Sequence, residues 1–146
     1  TRGTLLDERI EAIKALWTVE PAEYHGRFVD FESSYSRPKP VQQPHPPIFI
    51  GGNSDATVRR VARHRAGWMS NALPVNLLSM RVDQMRAATG GNVPLAMFGA
   101  PVDLEYWRAA QELGFGRLGL MLPSRPLDET LRLLDEFAAA VQAYHS

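Results

Sequence analysis

The sequence predicts an α/β fold on a parallel sheet: four βα units preceded by a helix and a β-hairpin. Three observations carry this. From Pro47 onward, short apolar runs alternate with amphipathic stretches in the order β-α-β-α-β-α-β-α. The runs are continuous rather than alternating in polarity, the pattern of strands buried on both faces of a parallel sheet. Gly51-Gly52, Gly90-Gly91 and Gly114 stand at the joints, where the chain must turn.

The first element is a helix over about 4–18. Thr4 is a good N-cap and Asp7, three positions later, favours the positive end of the helix dipole. Leu6, Ile10, Ile13, Leu16 and Trp17 recur at three- and four-residue spacing and form one apolar stripe. Pro21 follows its end. Tyr24, Phe28 and Phe31 then flank a turn containing Gly26, which predicts a hairpin over 23–31. Residues 37–47 hold five prolines. Proline lacks an N–H and fixes φ, so this stretch is an extended connector.

Ile48-Phe49-Ile50 is the first strand of the repeating part, and a helix over 55–64 follows with Val58, Val61 and Ala62 on one side. Gly67 to Ser70 is the second strand. Pro74 opens a helix carrying Leu77, Leu78, Val82 and Met85. Val93 to Phe98 is the third strand, and the helix after it runs from Val102 to Leu113. The fourth strand lies within 117–122. The last helix spans about 127–143, with Leu131, Leu134, Phe137, Ala138 and Val141 expected to face inward. Two segments result: 1–46, the helix, hairpin and connector, and 47–146, the four βα units. Such units fit two architectures, half of a (β/α)₈ barrel, which needs about 250 residues when whole, or a small open doubly wound sheet. The residues alone leave both open.

Composition narrows the function classes. The chain has 146 residues, with Lys+Arg 16 and Asp+Glu 16, so the formal net charge is zero. No nucleic-acid or anionic-membrane partner is expected from that balance, and self-association meets little repulsion. Cysteine is absent, which excludes disulfides and thiolate catalysis. No apolar run approaches the roughly 20 residues of a membrane span, and no apolar leader opens the sequence, so a cytoplasmic location is expected. His25, His45, His64 and His145 are scattered without metal-ligand spacing. His64 suits the C-terminal end of its helix dipole. Arg59, Arg60, Arg63 and Arg65 read as the solvated face of one helix.

Several local patterns coincide in order and spacing. They are Ala15-Leu16-Trp17-Thr18, Tyr24-His25-Gly26-Arg27-Phe28, Arg37-Pro38-Lys39-Pro40-Val41-Gln42, Pro46-Pro47-Ile48-Phe49-Ile50-Gly51-Gly52-Asn53-Ser54, and Arg63-His64-Arg65-Ala66-Gly67-Trp68-Met69. Each is weak alone; the ordered set resembles the luciferase-like monooxygenase family. That family includes bacterial luciferase, flavin-dependent monooxygenases and oxidoreductases using the 8-hydroxy-5-deazaflavin coenzyme F-420. The resemblance covers nearly the whole chain and is strongest between Thr4 and Met69. It implies the C-terminal half of a (β/α)₈ TIM barrel. It also implies that the half carrying the ring-facing His and acidic residues is absent, so no catalytic residue is assigned and this chain alone lacks a complete active site.

What the resemblance carries over is the loop Gly51-Gly52-Asn53-Ser54, where family members hold the cofactor phosphate on backbone N–H groups. The residues suit that role. A glycine pair lets backbone approach a ligand closely, and a helix N-capped by Asn53 or Ser54 points N–H groups and a positive dipole end at an anion. A tight strand-to-helix turn that binds nothing needs the same glycines. Ser70 and Asn71, ending the second strand at the same mouth, are further expected cofactor contacts. Trp68 reads as core, and Ser124 and Arg125 as a solvated loop after the fourth strand.

The expected cofactor is FMN or coenzyme F-420. The expected partner is either a second copy, two halves closing one barrel with twofold symmetry, or the absent N-terminal half. Two other readings compete with an oxidoreductase fragment: a catalytically inactive half-barrel that self-associates, and a small phosphate-binding α/β module. Cofactor titration separates them, because only a module or a working fragment binds FMN or phosphate.

Overall fold

A computed structural model describes residues 2–146. It divides into two compact units, Thr1–Ile48 and Phe49–Ser146.

The first unit is helix α1 (Arg2–Thr18) with an antiparallel hairpin of β1 (Ala22–His25) and β2 (Asp30–Ser34). The helix starts at Arg2 rather than at Thr4. An N-cap needs extended backbone, and Thr4 already sits inside the ladder, so it caps nothing. Nor does the apolar stripe face inward as a whole. Ile10 is buried but Leu6 and Ile13 are exposed, while Asp7 is buried. The reason lies in the docking of the hairpin. The N–H groups of Phe28 and Val29 donate to Glu8 Oε2 at 2.7 and 3.1 Å, and Tyr24 Oη donates to Glu11 Oε2 at 3.0 Å. The Phe28 N–H, followed by that of Val29, holds the Glu8 carboxyl below its usual range. Lys39 Nζ, from the connector, donates to the carbonyls of Leu16 and Val19 at 2.7 Å each. It satisfies acceptors that a helix end leaves open.

The second unit is β3 (Phe49–Gly51), α2 (Asp55–His64), β4 (Gly67–Asn71), α3 (Val75–Thr89), β5 (Leu95–Phe98), α4 (Leu104–Glu112), β6 (Phe115–Gly119) and α5 (Leu127–His145). All four strands are parallel, in the order β3-β4-β5-β6. The chain steps one way along the sheet, and right-handed crossovers then put successive helices on one face. Ile50, Trp68, Ser70, Leu95 and Met97 alternate onto that face and are buried. Helices α2, α3 and α4 add Val61, Leu78, Val82, Met85, Trp107 and Ala110 to the core. The opposite face carries Phe49, Gly51, Met69, Asn71, Ala96, Phe98, Arg117 and Gly119 by register. It stays open: Met69 is 37% and Phe98 54% exposed.

Two expectations fail here. The fourth strand runs from Phe115 to Gly119, not within 117–122. Pairing with β5 sets its length: Leu95 faces Phe115, a bulge follows, and Phe98 faces Gly119, after which β5 offers no partner. Leu120, Met121 and Leu122 therefore fall outside the ladder. In α5, no residue is buried, and Leu131, Leu134 and Val141 are exposed rather than inward. The sheet has no strand beyond β6, so α5 has little surface to cover. It is held near its C-terminal end, where Tyr144 meets Trp107 edge-on at 5.6 Å and bonds Gln111. Among the described residues no helix is long and apolar enough to cross a membrane.

Candidate functional site

Strand β3 ends at Gly51, and three residues, Gly52, Asn53 and Ser54, connect it to α2. Gly52 has φ of 115°, a conformation that a Cβ disfavours. Three contacts tie this loop to β4. The Gly52 N–H donates to the Met69 carbonyl at 3.2 Å. The Gly52 carbonyl accepts from Trp68 Nε1 at 2.7 Å. Asn53 Oδ1 accepts from the Asn71 N–H at 3.3 Å. Ser54 is the N-cap of α2: its Oγ accepts from the Thr57 N–H at 3.3 Å and lies 3.1 Å from Thr57 Oγ1. The loop is thereby fixed at the C-terminal ends of β3 and β4, with the N-terminus of α2 opening on it.

Gly51, Gly52, Asn53, Ser54 and Asn71 are brought together. Ser70 is not. It alternates onto the helix-covered face, is fully buried, and its Oγ has no hydrogen-bond partner. Trp68 is core, fully buried with its ring 6.0 Å from that of Phe115. Arg125 lies 3.9 Å from Glu129 on an exposed stretch. His64 is buried in the last turn of α2.

Electrostatics at the loop depend on a pair that sequence reasoning missed. Asp55, in the first turn of α2, places a negative charge where an anion would approach. Arg81 Nη1 stands 2.5 Å from its Oδ1 and bonds Gln84 Oε1 at 2.7 Å. The Arg81 guanidinium, aided by Arg59, keeps the Asp55 carboxyl below its usual range and offsets its charge. No sequence signal links two residues on successive helices. The Trp68 bond escaped for a related reason: its acceptor is a backbone atom 16 positions away.

The loop fits a phosphate. A Cβ at Gly51 would meet nothing nearer than the Met69 carbonyl at 3.9 Å, so the backbone is approachable there. The leading N–H groups of a helix lack intrahelical partners, and Ser54 caps only that of Thr57. Its nearest acidic side chain is already paired. Among the described residues no group of three or more His, Cys, Asp or Glu is placed to hold a metal ion.

Comparison with known proteins bears on this arrangement. Residues 1–101 match the family model described as luciferase-like monooxygenase. The uncharacterized protein Rv0953c of Mycobacterium tuberculosis is 34% identical over 144 residues, covering 94% of this chain and 50% of that protein. The FMNH(2)-dependent dimethylsulfone monooxygenase of Pseudomonas putida is 36% identical over 86 residues, covering 59% of this chain and 24% of that enzyme. Among solved structures, monooxygenase RslO1 from Streptomyces bottropensis superposes with a TM-score of 0.69 at 19% identity, covering 96% of this chain and 60% of that one. At that identity the likeness is one of fold. The chain spans about half the length of the curated relatives that match 94% of it.

Proposed function

This chain belongs to the luciferase-like monooxygenase family, and from that premise we propose that it is the C-terminal half of a (β/α)₈ barrel supplying the phosphate-holding loop of a flavin or deazaflavin oxidoreductase. The observation that carries the reading is the Gly51–Ser54 loop, tied to β4 by Trp68 and Asn71 and opening on the N-terminus of α2. In (β/α)₈ enzymes ligands bind at the C-terminal ends of the strands. Support for the half-barrel comes from four parallel strands in sequential order with one face open, and from a length about half that of the relatives.

Reduced FMN is favoured by the name of the Pseudomonas putida relative; coenzyme F-420 is the alternative. Such a group, when bound, supplies the electrons for hydride transfer or oxygen activation. This chain's part is to hold and orient. The Asn53 backbone and the Ser54-capped helix start anchor the phosphate, Gly51 and Gly52 let it approach the backbone closely, and Arg81 neutralises Asp55 beside it. Asn71 and Phe98 stand at the same end of the open face and would border the bound group. Ser70 takes no part, being turned to the opposite face. The acid or base of the reaction comes from the strands that complete the barrel. Two sources meet that need: the N-terminal half of a longer protein, or a second copy.

Equilibrium dialysis of this chain against FMN and F-420, read by absorbance, tests the reading. Saturable uptake that inorganic phosphate competes away is expected. Uptake indifferent to phosphate, or none, contradicts the anchoring role.

A further inference from the structure

Arg117 is the only charged residue in β3, β4, β5 and β6. Register places it beside Ala96, Ala96 beside Met69, and Met69 beside Gly51. These four residues form one row, and alternation sets the row on the open face. Arg117 is exposed there. None of the four strands supplies a carboxylate to the face. While the face is open, water solvates the guanidinium. Closure of a barrel removes that water, and an interior cation is tolerated only against a counter-charge.

A second copy brings none from its strands. Twofold closure would pair β6 of each copy with β3 of the other. The two Arg117 residues would then stand on opposite strands, across an interior just wide enough to be filled by side chains. Like charges would face each other with nothing between them. The zero net charge of the whole chain does not relieve this, since its acids lie elsewhere.

We propose that the half-barrel closing over this face carries a carboxylate opposite Arg117, and that Arg117 discriminates such a half from a second copy of this chain. The proposal rests on the half-barrel reading above. It follows the general behaviour of charge at interfaces, which selects partners by penalising the wrong one as well as rewarding the right one.

The test uses this chain with the substitutions Arg117→Glu and Arg117→Met. Arg117 is exposed, so the variants should keep the fold, which circular dichroism verifies. Wild type and variants, distinguished by mass tags, are examined singly and mixed by sedimentation equilibrium and native mass spectrometry. The wild-type and Arg117→Glu mixture is expected to form a one-to-one heterodimer at least about tenfold tighter than the wild-type homodimer. Arg117→Met, apolar at that position, should self-associate more tightly than wild type. Equal association of wild type, Arg117→Met and the mixture overturns the charge proposal and leaves the half-barrel reading standing. No association by any of them, alone or mixed, also overturns the charge proposal, because removing the like charges then restores nothing; the half-barrel reading, which an N-terminal half satisfies equally, is judged by the cofactor uptake above.

Discussion

Trp68 donates its indole N–H to the carbonyl of Gly52 at 2.7 Å, and so a core side chain sets the path of the loop above it. Trp68→Phe keeps an aromatic body against Phe115 and deletes the donor. The Gly52 carbonyl then loses its partner, which should cost about 1–3 kcal/mol in urea unfolding. Hydrogen exchange at Gly52 to Ser54 should quicken beyond the change in global stability. Exchange that tracks global stability alone would show that the bond does not position the loop.

Gly52 and Gly51 should respond differently to alanine. At Gly52 the φ of 115° strains any L side chain, and a Cβ would lie 3.0 Å from Thr57 Oγ1. Gly52→Ala should destabilise by roughly 1–3 kcal/mol. Gly51→Ala makes only an ordinary contact, with the Met69 carbonyl at 3.9 Å, and should stay within about 0.5 kcal/mol of wild type. Thermal unfolding of the two variants checks the contrast; equal losses would refute it.

Gly67 is small because Phe49 lies over it. A Cβ there would come within 2.5 Å of the Phe49 ring and 3.0 Å of the Pro94 carbonyl. Gly67→Ala is expected to cost about 1–3 kcal/mol by overpacking. The double variant with Phe49→Ala should lose less than the sum of the single losses, because the residues share one space. Strict additivity in a double-mutant cycle would argue against the contact.

In the hairpin, His25 Nδ1 lies 2.8 Å from Asp30 Oδ1. That hydrogen bond first, and the nearby carboxylates of Glu32 and Glu23 after it, raise the His25 pKa above its ordinary 6.5. A raised folded pKa means the contribution to stability is fully present below the unfolded value and fades as pH rises through the folded one. The hairpin should therefore loosen slightly on going from mildly acidic to mildly alkaline solution. Asp30→Ala should bring the His25 titration, followed by proton NMR, back toward 6.5. A titration that does not move would rule out Asp30 as the cause.

Much of the fold was legible because local rules and tertiary packing agree in the βα units. Glycine pairs ended elements where expected, and Ser54 caps α2 as its type suggests. Boundaries failed where a distant partner decided them. Strand β6 follows the length of β5, and α5 keeps Leu131 and Leu134 exposed because no strand lies beyond β6. The buried face of α1 was misread because two glutamates, not the apolar stripe, receive the hairpin. Asp103, which caps α4 through the N–H groups of Glu105 and Tyr106, was readable and passed over. At the site, the glycine loop was visible in sequence. The side of the sheet taken by Ser70 was not, because it depends on the face that the helices cover.

The role proposed for the Gly51–Ser54 loop is to anchor a cofactor phosphate. Amide chemical-shift mapping of the ¹⁵N-labelled chain with FMN and with riboflavin, which has the same ring and no phosphate, tests it most directly. Saturable shifts at Gly51, Gly52, Asn53 and Ser54 are expected with FMN, and none there with riboflavin. Equal shifts with both ligands, or shifts confined to other residues, would contradict it.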